Sequence, residues 1–170
     1  MLSVQQLYTS GRNSGLAKLQ EIEQYRVQLF SGDFTDNSLH YIIPVQSYTE
    51  NNKIYTVHIN FTPVTFVTEE EYKRVMNAGR DKFNDQWVYF IKPSNYSPVQ
   101  VSCTCMNYVY TWAFYNAKTG NHFGPLPVIP PPKGLRPPRN PKHLPGMCKH
   151  IVAALNSTEG FTRINLPTRY

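Results

Sequence analysis

Three cysteines and one histidine carry the clearest chemistry in this sequence. Cys103-Thr104-Cys105 and Cys148-Lys149-His150 form the pattern C-x-C, 42 residues, C-x-H, which uses every cysteine of the 170-residue chain. Three thiolates and one imidazole are the donor set of a closed tetrahedral zinc site, with no coordination position left for a substrate. Zinc, one per chain, is therefore the expected metal; an iron-sulfur cluster is second, because thiolate-rich sets suit it as well. His122 and His143 are available as replacement ligands. The plainer alternative is that the cysteines are small buried hydrophobes. A Cys103–Cys105 disulfide is disfavoured, since one intervening residue strains the bridge and the third thiol would be left over.

Such a site dictates what must hold it. Residues two apart face the same way on a strand, so Cys103 and Cys105 should close a strand running through Val99–Cys103 and kink there. Residues two apart on a helix diverge, so Cys148 should precede a helix start with His150 in its first turn, and Ile151–Leu155 should be the packed face. Pro145-Gly146 reads as the turn into that helix. Other expected strands are 27–30, 39–48, 54–59 and 87–91, separated by turns at Ser31-Gly32-Asp33 and 50–53. Tyr108 to Tyr115 also reads as a strand, with Tyr108, Tyr110, Trp112 and Phe114 on one face, buried in a core or interface or stacking on bases. Leu16, Leu19 and Ile22 predict a helix over 14–25. Thr68 and Glu71 form a capping box before a short stripe of Tyr72, Val75 and Met76. The expected fold class is α+β, mainly antiparallel, as a single domain over 1–170.

Charge is divided unevenly. Residues 1–85 carry eight Lys/Arg against ten Asp/Glu, a net of −2, whereas 86–170 carry nine against one, a net of +8 within the total of +6. Residues 125–145 hold nine of the 14 prolines, with Lys133, Arg136, Arg139 and Lys142 and no acid. This composition predicts an extended polyproline-like arm. Its four cations are candidate partner-binding residues, for a neighbouring subunit with an acidic surface or for a phosphate backbone. No H-E-x-x-H, phosphate-binding glycine loop or carboxylate pair appears, so a non-enzymatic role is expected. The N-terminus lacks a leader pattern and no segment has the length or apolarity of a membrane span. Together with unpaired cysteines, this points to folding in a reducing cytoplasm.

The C-x-C and C-x-H halves resemble the SWIM-type zinc finger, a small ββα module credited with binding DNA or protein. The likeness covers residues 103–156 and implies Cys103, Cys105, Cys148 and His150 as metal ligands. The 42-residue interval and the proline-rich arm have no counterpart in that family. Taken with the aromatic run 108–115 and Asn140-Pro141-Lys142-His143-Leu144-Pro145-Gly146-Met147-Cys148-Lys149-His150, the pattern is similar to tailed-bacteriophage virion structural proteins of the tail, baseplate or neck. That similarity implies a virion location after folding in the host cytoplasm, other virion proteins as partners, and nucleic acid only secondarily.

Overall fold

Inward-facing alternation builds the sheet that carries the first half-site. The structure, a computed structural model, describes residues 1–15, 25–28, 31–48, 50, 53–127 and 139–157. The chain runs α1 (Val4–Asn13), β1 (Arg26–Val27), β2 (Ser31–Thr35), β3 (Ser38–Gln46), β4 (Ile54–Phe61), α2 (Glu69–Tyr72), β5 (Ala78–Phe83), β6 (Gln86–Ile91), β7 (Val99–Cys103), α3 (Met106–Thr111), α4 (Ala113–Lys118) and α5 (Lys149–Ser157). All strand pairings are antiparallel: β1-β3-β4-β7 in order with β2 also on β3, and a separate β5–β6 hairpin. The class is α+β, as expected.

Leu39, Tyr41, Ile43 and Val45 of β3 face one side with Tyr55, Val57, Ile59 and Phe61 of β4 and Val99, Val101 and Cys103 of β7, all buried. Because side chains on a strand repeat every second residue, the β4–β7 register that pairs Val57 with Cys103 delivers the cysteine to the core face. Helix α5 covers that face with Ile151, Val152, Ala153, Ala154 and Leu155 buried, the packing expected from the sequence.

Several expectations need correction. Ser31-Gly32-Asp33 is not a turn but the start of β2; the chain reverses at Asp36-Asn37, between the paired Thr35 and Ser38. Gly32 reads as a turn residue yet serves close approach, since a Cβ there would collide with the His40 carbonyl. The Thr68–Glu71 capping box is present, with Glu71 N–H donating to Thr68 Oγ1 at 3.2 Å. The helix it starts ends at Tyr72, however, and Met76 is fully exposed rather than part of a stripe.

Tyr108–Tyr115 is helical, not a strand. Cys105 caps α3 by accepting from Tyr108 N–H at 3.3 Å, and the helical period places Tyr108 and Trp112 together in the core while Phe114 stays 49% exposed. Tertiary packing overrides the β preference of the aromatic residues. The helix expected over 14–25 falls largely outside the described residues; its first residue, Ser14, is the C-cap of α1.

Candidate metal centre

The C-x-C kink is held by its spacer. Thr104 N–H donates to the Thr56 carbonyl at 3.1 Å and Thr104 Oγ1 accepts from Thr56 N–H at 3.0 Å, so β4 fixes the point where β7 ends. Cys103 is the last residue of β7 and Cys105 the N-cap of α3, in extended conformation. Across the core, Cys148 lies just before α5, its carbonyl accepting from Val152 N–H at 3.2 Å, with His150 in the first turn. The sequence-derived placement of both halves holds.

The four side chains converge. One ligand atom from each of Cys103, Cys105, Cys148 and His150 can be chosen so that all lie within 4.8 Å of one another, and all four residues are buried. His150 turns Nδ1 toward the sulfurs, 3.9 Å from Cys103 Sγ and 4.0 Å from Cys148 Sγ. A tetrahedron with roughly 2.3 Å zinc–sulfur and 2.0 Å zinc–nitrogen bonds has edges of about 3.5–3.8 Å, so small side-chain adjustments would seat the ion.

Electrostatics also ask for a cation. Burial holds the Cys103 and Cys148 thiols well above their usual range, while hydrogen bonds from Cys103 and then Cys148 pull Cys105 far below it. A divalent ion supplies the charge that lets all three sulfurs ionise in a buried site. His150 Nε2 is buried with no hydrogen-bond partner among the described residues, walled by the Tyr55 ring at 4.6 Å and the Tyr25 ring at 5.1 Å between centroids. That leaves Nδ1, which faces the sulfurs, as the ligating nitrogen. The donor set, the burial and the convergence fit a bound metal ion.

His122 and His143 are not ligands. His122 contacts the Tyr108 hydroxyl at 2.9 Å and the Pro125 carbonyl at 3.2 Å, and His143 stacks on Tyr115. Arg139 lies 5.0 Å over the Tyr110 ring, and Lys142 Nζ donates to the Asn13 carbonyl at 2.7 Å, in the last turn of α1. Both cations are thus engaged within the chain; Lys133 and Arg136 lie outside the described residues.

Sequence reasoning missed the clamp that positions Cys148. Asn116 of α4 receives Gly146 N–H at 2.8 Å and donates to the Gly146 carbonyl at 2.9 Å, and Asn140 donates to the carbonyls of Thr111 at 3.0 Å and Leu144 at 2.6 Å. The one advance signal was Asn140-Pro141, a turn-initiating pair. Gly146 is required by close approach: a Cβ would lie 2.7 Å from Trp112 Cε3 and 2.8 Å from Gly11 Cα. Gly146→Ala should therefore cost about 1–3 kcal/mol or more, measured by urea unfolding, and should loosen metal retention. Unchanged unfolding would contradict this packing.

A second titratable chain was also missed. Asp33 Oδ1 meets His40 Nδ1 at 3.1 Å, and His40 Nε2 meets His58 Nδ1 at 3.0 Å. If His40 donates to the carboxylate, His58 must donate to His40, which leaves His58 Nε2 an acceptor. Partial burial and then the neighbouring His40 lower the His58 pKa. The unfolded chain binds this proton near pH 6.5, so the contribution of neutral His58 to stability is complete above that pH and is lost as pH falls toward the lowered folded value. His58→Gln should flatten the loss of Tm between pH 7.5 and 5 relative to wild type. Parallel Tm curves would rule the contribution out.

Compared with models of known protein families, with curated proteins and with solved structures, the chain matches none of them. No helix among the described residues is long and apolar enough to cross a membrane.

Proposed function

We propose that Cys103, Cys105, Cys148 and His150 hold one zinc ion in a closed structural centre, and that the chain is a non-enzymatic structural protein of a tailed-phage virion. The observation that carries the metal reading is the convergence of four buried ligand atoms within 4.8 Å. Four protein ligands fill a tetrahedral shell, which favours a staple over a catalytic ion. The staple joins the end of β7 to the start of α5 and so ties together the two ends of the proline-rich segment. The virion role is supported by the likeness of the C-x-C, aromatic and Asn140–His150 segments to phage tail, baseplate or neck proteins. In that role the basic segment contacts neighbouring subunits.

Nucleic-acid binding of the SWIM type is the competing role. The engagement of Arg139 and Lys142 within the chain leaves fewer cations for phosphate. Native mass of the purified full chain, read with and without duplex DNA, separates the two. An assembly protein should form a defined multimer or co-purify with particles and bind DNA weakly. Tight binding that collapses with salt and with neutralisation of Lys133, Arg136, Arg139 and Lys142 would replace assembly by nucleic-acid binding.

A further inference from the structure

A row of polar side chains crosses the face of the sheet opposite α5, one from each of four neighbouring strands. Asp33 of β2 pairs in register with His40 of β3, and His58 of β4 with Ser102 of β7. The first three are joined by hydrogen bonds of 3.1 and 3.0 Å. The Phe123 ring covers them, 4.2 Å from the His40 centroid and 5.7 Å from that of His58. The row ends in a cleft of about 420 Å³ walled by Val109, Phe123, Pro125 and Pro127, with His58 and Ser102 in its lining.

The hydrogen-bond inventory leaves two groups open at the cleft. An ionised Asp33 carboxylate can only accept, so each imidazole in the row donates from Nδ1 and offers a lone pair at Nε2. His40 gives that lone pair to His58, whereas His58 Nε2 has no partner among the described residues and keeps solvent access. The Ser102 hydroxyl is likewise without a partner among them. Neighbouring polar groups are occupied: His122 uses both nitrogens, on the Tyr108 hydroxyl and the Pro125 carbonyl, and Thr104 Oγ1 takes the Thr56 N–H. Among the described residues no Lys, Arg, Asp or Glu lines the cleft, so an ion entering it would lose water without gaining a countercharge.

We infer that this cleft binds a neutral phenol, whose hydroxyl donates to His58 Nε2 and accepts from the Ser102 hydroxyl. Residues directly opposite in an antiparallel pair have Cβ atoms only about 4.5–5.5 Å apart, so both groups border the same space. A hydroxyl alone answers both, since an indole N–H donates without accepting and an ether or ketone accepts without donating. An aromatic body suits the flat faces of Phe123, Pro125 and Pro127. A sugar, with hydroxyls on every side, would bury most of them unpaired, whereas small-ligand sites of this size are apolar with a few placed polar groups. A free phenol and a tyrosine side chain presented by a partner share this chemistry. The inference stands apart from the metal and assembly readings.

Titration of p-cresol into the full chain, followed by the nitrogen NMR resonances of its histidines, tests the contact. Binding should saturate with a dissociation constant of about 1 mM or lower, as befits a ligand of so few atoms, and should move His58 Nε2 while leaving the His122 nitrogens in place. Toluene, the same shape without the hydroxyl, should bind about fivefold more weakly, and benzoate no better than toluene. Ser102→Ala should weaken p-cresol about fivefold and leave toluene unchanged, with unchanged unfolding as the check on its fold. The comparison of ligands on the wild-type chain holds even if that variant fails to fold. N-acetyltyrosine amide binding as tightly as p-cresol assigns the phenol to a partner's side chain, and its exclusion while p-cresol binds assigns a free molecule; both sustain the inference. No p-cresol binding at about 10 mM, toluene or benzoate binding as tightly as p-cresol, or a His58 resonance that does not move overturns it.

Discussion

Cys148→Ser is expected to abolish metal binding and to lower Tm by about 20 °C or more. A structural zinc site contributes on the order of 10 kcal/mol to folding, comparable to the roughly 5–15 kcal/mol net stability of a whole domain. At this size each kcal/mol corresponds to about 2–4 °C. Serine keeps the shape of the side chain but not the soft thiolate, and Cys148 is 2% exposed, so water cannot replace the lost ligand. Differential scanning calorimetry with parallel metal analysis reads both effects. A chelator should bring the wild type to the same Tm as the variant, and His143→Ala should leave metal content alone, because His143 stacks on Tyr115 away from the cluster. A Cys148→Ser protein with wild-type Tm would remove the staple from the account.

Trp112→Ala should be the next most damaging change, at about 3–5 kcal/mol, or roughly 10 °C in Tm. Trp112 is fully buried, its Nε1–H donates to Asn107 Oδ1 at 3.2 Å, and its ring is the wall against which Gly146 packs. The cavity left by alanine would sit against Gly146, two residues before Cys148. Phe114→Ala should cost less than about 0.5 kcal/mol, as a surface change does. The contrast decides the geometry of this segment: on a strand, Trp112 and Phe114 share a face and would be lost at similar cost. On the observed helices they do not. Denaturant unfolding of the pair is the measurement, and equal losses would contradict the helical assignment.

What was legible in the sequence was whatever local periodicity determines. The inward rows of β3, β4 and β7 alternate cleanly, and the metal ligands stand out because C-x-C fits a strand end and C-x-H a helix start. Local signals that point two ways misled. Gly32 looks like a turn residue, and the aromatic run at 108–115 has a two-residue alternation although its Tyr108–Trp112 spacing equally fits a helix. Helix α1 was overlooked despite its signature, a Ser3–Gln6 capping box with Val4, Leu7 and Tyr8 on one face, because Gly11 and the polar residues around it obscure the pattern. The Asn116–Gly146 and Asn140–Thr111 clamps were invisible for a different reason. Their partners lie about 30 residues apart, and no local pattern tells a buried asparagine from a loop one.

X-ray absorption at the zinc edge of freshly purified full-length protein tests the central claim most directly. The account predicts one zinc per chain with three sulfur neighbours at about 2.3 Å and one nitrogen at about 2.0 Å. Stable, folded protein with no bound metal would contradict it, as would a shell in which oxygen replaces one of the sulfurs.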